Sequence, residues 1–458
     1  MIDQLTLSRA AIEYGGTLVY PDCAFDQVST DTRQIGEGQL FVALRGENFD
    51  AHQFLGQAAQ SACGLVVEKA DTSLSVPQWV VPDTTVALGQ IARLNRTAFD
   101  GRMVAVTGSA GKTTVKEMLA AIFAHQDGAD AVLATRGNLN NHIGVPLTLM
   151  SLTEKHRSAV IEMGASGPNE IGYLCNMASP DVALVNNVLP AHVEGFGSVE
   201  GIARAKGEIY QQLKRNATAV LNLDEVYEEL WRSYIGERRC LTFSVSRRDA
   251  NVRAAEVTQD ALGRCHFRLE TPVGATDIQL SIPGRHNVAN ALAAAAVAIA
   301  AGAGLAEVAK GLKSAKTVAG RMDIKELPTG DYLIDDSYNA NPGSVKAAID
   351  SLVTMPGRTI LVLGDMAELG ADEVEMHAEV GRYAANHGVA QLYTAGKLTA
   401  FTSDAFGEGV HCESKRQLIE ALAPQLGSGV TILVKGSRSA GMDDVVKALE
   451  AEASTTGE

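Results

Sequence analysis

The chain has 458 residues, 46% hydrophobic and 20% charged, with a formal net charge of -15; this is an ordinary globular composition with length for about three domains. The acidic balance argues against sequence-independent nucleic-acid binding, which needs a basic face, and allows an anionic nucleotide site only where cations are placed locally. The cysteines Cys23, Cys63, Cys175, Cys240, Cys265 and Cys412 include no C-x-x-C pair, so neither a zinc site nor a disulfide framework is indicated, and reduced cytosolic thiols are expected. The opening MIDQLTLSRAA lacks a basic stretch followed by an apolar one, so no signal peptide is expected.

In chain order, QLFVAL (Gln39–Leu44) and GLVVE (Gly64–Glu68) read as strands, with a helix over His52–Ala62 between them. RMVAVTG is a continuous apolar strand ending in glycine. From Lys112 to Phe123, Val115, Met118, Leu119 and Ile122 recur at helical spacing, so strand, glycine turn and helix open a parallel α/β unit. SAVIEMG (Ser158–Gly164), DVALVNNV (Asp181–Val188) and ATAVLNLD (Ala217–Asp224) continue as strands. Residues 251–282 alternate in polarity and predict a small antiparallel flap.

Ala289–Ala306 carries no charge but is mostly alanine and glycine. A tightly packed helix is expected there, because a membrane span needs stronger hydrophobicity over about 20 residues. Beyond it, DYLIDDSY (Asp331–Tyr338), RTILVLGDM (Arg358–Met366), AQLYTAG (Ala390–Gly396) and VTILVKGS (Val430–Ser437) are buried strands. Helical segments such as Ser344–Thr354 and Glu373–Asn386 separate them, which predicts a second doubly wound parallel sheet. The fold expected is α/β in three domains: a small mixed α/β domain over 1–98, a central P-loop parallel-sheet ATPase domain over 99–314, and a Rossmann-like C-terminal domain over 315–458.

Gly108-Ser109-Ala110-Gly111-Lys112-Thr113-Thr114 resembles a phosphate loop, but only Ser109 and Ala110 separate Gly108 from the Gly-Lys pair, where the usual loop has four residues. The physics survives the shortening. Glycines let backbone N–H groups turn inward, the helix N-terminus favours negative charge, and Lys112 can reach terminal phosphates. Thr113 or Thr114 can place a hydroxyl on Mg²⁺. The Gly-Lys-Thr triplet gains its weight from standing between a buried strand and a periodic helix.

Glu162 ends the next strand, at the sheet edge where open α/β folds bind ligands, and is a natural Mg²⁺ ligand, direct or through an intervening group, although such a glutamate alone is as often an N-cap or surface residue. His192 follows another strand end in LPAHVEGFGS. A lone histidine is more often structural, but this one falls at the same edge as the phosphate loop. Lys206, in RAKGEIY, reads by itself as a solvated helix lysine.

Taken together, TGSAGKTT, GNLNNHIGVP (Gly137–Pro146), IEMGAS, NNVLPAHVEGFGS, AKGEIY, PGRHNVANALAA (Pro283–Ala294), AGRMD (Ala319–Asp323) and DDSYNANPGS (Asp335–Ser344) resemble the Mur ligases over nearly the whole chain. These are ATP-dependent enzymes that extend the peptide stem of bacterial peptidoglycan precursors. DSYNANP and NLNNHIGVP are most similar to the branch that joins D-alanyl-D-alanine to UDP-N-acetylmuramoyl-tripeptide. The Asp-Asn-Pro-Arg motif usual in the diamino-acid-adding branch is missing.

The resemblance implies ATP and two Mg²⁺ as cofactors, one ion held by Thr113 and Glu162, the other by His192 and a carbamylated Lys206. It implies that Gly108 to Thr114 cradle the phosphates, Asn287 contacts adenine, Arg321 reaches the phosphates and Asp336 the ribose. STDTR and RGENFDAH, with Ser29, Thr30, Arg33, Asn48 and His52, match the family's UDP-sugar loops. On their own these are polar turns, although Arg33 offers a fork for phosphate or carboxylate. Asn339 and Asn341 are further substrate-binding candidates, and Lys435 and Arg438 in KGSR offer cations for the carboxylate of the incoming dipeptide, with surface charge an equally fair reading of those two. A cytoplasmic monomer is expected. Three rivals stay open: a sister or folylpolyglutamate-synthetase-like ligase, a P-loop switch or motor, and a P-loop kinase acting on a small hydroxyl.

Overall fold

The computed structural model describes residues 1–46, 48–190 and 193–456. Three main sheets follow one another along the chain. The first has the order Thr17–Val19, Gln78–Val80, Gly64–Val67, Leu40–Val42, Val28–Ser29, and only its first pair is antiparallel. The connection expected as one helix over His52–Ala62 is a 3-10 turn, Ala51–Phe54, capped by Asp50, and a short helix, Leu55–Ala58. The chain must then turn so that the Cys63 N–H can reach the Gln39 carbonyl at 2.9 Å.

The central sheet has nine strands. From one edge they run Val132–Ala134, Ser158–Glu162, Arg102–Thr107, Val182–Val185, Thr218–Asn222 and Arg239–Ser244, all parallel. Successive residues feed opposite cores: Met103 and Ala105 point to one, Val104 and Val106 to the other. Burial on both faces is why these strands read as unbroken apolar runs. The expected flap over 251–282 is antiparallel, but it is no separate unit. Val252 pairs with Phe243 and fuses the ribbon to the sheet, with Phe267, Leu269, Ile278 and Leu280 buried beneath it.

The alanine-rich helix spans His286–Ala300 and stops short of Ala306, because Gly302 takes a left-handed φ of 87°. A separate helix, Leu305–Ser314, packs on the Lys112–Asp127 helix, and a Cβ at Gly311 would overlap the Ile122 backbone. No described helix is long and apolar enough to cross a membrane. The third sheet has the order Asp323–Glu326, Tyr332–Asp336, Val430–Lys435, Arg358–Gly364, Gln391–Ala395, Val410–Cys412, and is parallel apart from its first strand.

Candidate active site

Register sets the first wall of the site. Glu162 pairs with Val106, and Val185 with Thr107, so three parallel strands end level and release their loops at one edge. Gly111 caps the Lys112–Asp127 helix at φ 74°, and a side chain there would collide with Asn186 and Asn290. Glycine is required both by the left-handed turn and by the crowding. Amide side chains lock the loop: Ala110 N donates to Asn187 Oδ1 at 2.8 Å, and Asn186 Nδ2 donates to Ala110 O at 3.0 Å. Asn186 Nδ2 also reaches Asn290 Oδ1 at 3.0 Å, and Asn290 Nδ2 donates to Asn287 Oδ1 at 2.7 Å. The free N–H groups at the start of the helix stay available for an anion.

Lys112 folds back in the described state, donating to Gly108 O at 2.7 Å. Desolvation in the cleft lowers its pKa, with Glu162 opposing and Arg321 adding to the shift. Glu162 is 2% exposed. Its carboxylate accepts from Thr113 Oγ1 at 3.0 Å and Asn140 Nδ2 at 2.9 Å, while its own N–H donates to Thr135 Oγ1 at 2.9 Å. Among the described residues no three His, Cys, Asp or Glu side chains converge as a metal site. A carboxylate beside a threonine hydroxyl nevertheless fits Mg²⁺, which takes few protein oxygens and completes its octahedron with phosphates and water.

Lys206 is 3% exposed and has no carboxylate partner among the described residues; its amine lies 6.0 Å from the Phe196 ring centroid. Burial, then the charge of Lys112, pulls its pKa well below the ordinary value. This is not the solvated lysine expected from local sequence. His192 lies outside the described residues.

The third sheet supplies the opposite wall. Asp336 accepts from Lys435 Nζ at 2.5 Å and from Met322 N at 3.1 Å, and Lys435 also donates to Asn339 O at 3.0 Å. Lys435, expected as a cation for the dipeptide carboxylate, is buried and paired with Asp336. The Asn341 side chain caps the Pro342–Leu352 helix by accepting from Ser344 N at 2.9 Å. Asn339 Oδ1 accepts from Ala340 N at 2.9 Å. The guanidinium of Arg321 sits 4.2 Å from the Tyr338 ring centroid, and that of exposed Arg438 sits 5.7 Å from the same ring.

A cavity of about 810 Å³ lies between the walls. From the central sheet the whole Gly108–Thr114 loop, Glu162, Lys206 and Asn287 line it. From the third sheet Arg321, Asp336, Asn339, Asn341 and Lys435 do. The N-terminal candidates are not brought to it. Ser29 Oγ donates to Asp31 O at 3.1 Å, and Arg33 forms a two-point pair with Asp31 at 2.9 and 2.7 Å. His52 shares a 2.7 Å hydrogen bond with Asp50 and accepts at Nε2 from Glu68 N at 3.1 Å. Thr30 is half-buried and Asn48 exposed.

Sequence reasoning missed Asn140, Asn186, Asn187, Asn290, Tyr338 and Glu225, all of which line the cavity. The asparagine pair directly after a buried strand was the available signal. Glu225 had none: its pKa is pushed up to about 7 by burial, against one backbone hydrogen bond from Val188 and beside Asp224.

A phosphate loop on one parallel sheet facing a second parallel sheet across a nucleotide-sized cleft defines a two-walled nucleotide site. The family model described as Mur ligase middle domain matches residues 106–298, and that described as Mur ligase, glutamate ligase domain matches residues 320–438. The chain belongs to the Mur ligase family. It is 44% identical over 448 residues to the UDP-N-acetylmuramoyl-tripeptide–D-alanyl-D-alanine ligase of Escherichia coli, covering 97% of this chain and 98% of that one. Its likeness to the Bacillus subtilis enzyme of the same name is 35% over 460 residues, covering 97% and 98%. The crystal structure of MurF from Acinetobacter baumannii matches at a TM-score of 0.92 and 32% identity, covering 98% and 99% of the two chains. That of MurF ligase from Thermotoga maritima in complex with ADP matches at 0.84 and 28%, covering 94% and 98%.

Proposed function

We propose that this chain is an ATP-dependent amide ligase that joins D-alanyl-D-alanine to UDP-N-acetylmuramoyl-tripeptide in peptidoglycan precursor synthesis. The observation that carries the reading is the cleft itself: a phosphate cradle on one wall and, on the other, the Arg321 guanidinium, which has no salt bridge among the described residues, in a chain alike over its full length to ligases of that name.

The tripeptide's terminal carboxylate attacks the γ-phosphorus of ATP, the bond to the β-γ bridging oxygen breaks, and ADP leaves an acyl phosphate. The neutral amine of the dipeptide then attacks the acyl carbon, and inorganic phosphate departs with the carboxyl oxygen. Lys112 exchanges the Gly108 carbonyl for a phosphate oxygen, and the cleft acts by positioning and charge stabilisation. Mg²⁺, when bound by Thr113 and Glu162, offsets negative charge on the phosphates. A second Mg²⁺ would be held by His192 and a carbamate on Lys206. A buried amine without a counter-ion is the form that adds carbon dioxide, and the carbamate would give a hard cation an oxygen ligand.

Asn287 serves the adenine, Asp336 the ribose, Arg321 the phosphates and Arg438 the dipeptide carboxylate. Residues 1–98 take the UDP-sugar through Ser29, Thr30, Arg33, Asn48 and His52, residues 99–314 the ATP, and residues 315–458 the dipeptide. The enzyme works as a cytoplasmic monomer, and closing the third sheet onto the central one keeps water from the acyl phosphate. The test is phosphate release with ATP, UDP-muramoyl-tripeptide and D-alanyl-D-alanine supplied together and with each omitted. Turnover that needs all three and yields a new amide supports the reading; ATP consumption indifferent to both acceptors overturns it.

A further inference from the structure

Among the described residues, the Tyr338 ring is shared by two arginines: Arg321, which lines the cleft, and the exposed Arg438. Arg321 lies over it at 4.2 Å and Arg438 approaches it at 5.7 Å. Neither guanidinium forms a salt bridge or donates a side-chain hydrogen bond among the described residues, whereas Asp336 and Lys435 nearby neutralise each other. A guanidinium left without a carboxylate presents its full fork to an incoming anion, and a ring beneath it fixes that fork without neutralising it.

The ring is itself fixed. Tyr338 N donates to Gly320 O at 3.0 Å, and Gly320, at φ 75°, brings its Cα so close that an added Cβ would lie 3.1 Å from Tyr338 Cβ. Gly320 immediately precedes Arg321, so one turn sets the ring and the first arginine together. Tyr338 also borders the cavity, at the wall opposite the phosphate loop.

We propose that Tyr338 is a positioning residue that holds two anion forks at once: Arg321 for the nucleotide's phosphates and Arg438 for the carboxylate of the incoming dipeptide. This rests on the ligase reading above and adds to it a coupling between the two anions. Because both forks lean on one ring, a disturbance of the ring is felt at both sites, while the UDP-sugar, bound elsewhere, is unaffected.

The experiment is steady-state kinetics on the full chain, once the wild type has been shown to form the amide; a wild type that forms none refutes the ligase reading rather than this one. Tyr338→Leu removes the π face and is expected to raise KM about five- to tenfold for both ATP and D-alanyl-D-alanine, leaving KM for the UDP-muramoyl-tripeptide unchanged. Tyr338→Phe keeps the face and is expected to stay within about twofold of wild type on all three. A Tyr338→Leu variant with only one of the two KM values raised, or a Tyr338→Phe as impaired as the leucine, overturns the shared-platform role. Should Tyr338→Leu fail to fold, Tyr338→Gln, which also lacks the π face, is measured in its place: KM raised for both ATP and D-alanyl-D-alanine supports the proposal, and KM raised for only one or for neither refutes it.

Discussion

Thr113 Oγ1 donates to Glu162 Oε2 at 3.0 Å, tying the first turn of the phosphate-loop helix to the end of the neighbouring parallel strand. The two residues stand 49 positions apart, and Asn140 holds the other carboxylate oxygen at 2.9 Å. Glu162→Gln keeps the shape and removes the charge. Phosphate release is expected to fall by about a hundredfold or more, as for loss of one preorganised electrostatic group, and added Mg²⁺ should not restore it. Thr113→Ala leaves the carboxylate held by Asn140 and should instead shift the Mg²⁺ dependence to higher concentration. Titrating Mg²⁺ in the phosphate-release assay distinguishes the two.

Gly111→Ala combines a left-handed φ of 74° with a collision against Asn186 and Asn290. We expect a loss of about 1–3 kcal/mol in stability and weakened ADP binding. Thermal melting and calorimetric titration with ADP measure the two effects. A variant equal to wild type in both would remove the amide lock from the loop's design.

Lys435 and Asp336 form a buried pair. Lys435→Met strands the Asp336 carboxylate and is expected to cost about 3–5 kcal/mol, whereas the double variant Lys435→Met, Asp336→Asn should recover most of that loss. Urea unfolding of the single and double variants gives the comparison. Equal losses in both would mean that the pair carries no mutual dependence.

Glu225 has its pKa raised from 4.5 to about 7, mainly by burial. The folded state therefore binds a proton that the unfolded chain has released over that interval. The sign follows: stability contributed by the neutral carboxyl is present below about pH 4.5 and is lost as pH rises toward 7. Glu225→Gln should flatten the decline between those limits and raise Tm at pH 8. Melting curves across pH 4.5–8 measure it; a wild-type profile that rises over this interval to the same extent in both proteins would contradict the assignment.

The strands that position the site were legible because they are buried on both faces, so Arg102–Thr107 and Ser158–Glu162 appear as apolar runs with glycine or an acid at the end. The flap over 251–282 was legible as antiparallel but not as part of the central sheet, since the pairing of Phe243 with Val252 is a tertiary event. Glu225 was invisible, and Tyr338 stood inside the DSYNANP motif with no role to mark it. Their character comes from desolvation and from two arginines that arrive from elsewhere in the chain.

What the sequence determined by itself was the local machinery: a strand, a shortened glycine turn and a helix whose first turn must attract anions, because backbone geometry and helix dipole follow from residue type and order. What tertiary structure alone decided was charge. Lys435 and Arg438 stand three positions apart in one motif, yet Lys435 is cancelled by Asp336 and Arg438 is left open beside Tyr338. The free energy of a charge depends on what surrounds it in three dimensions, and no spacing along the chain encodes that.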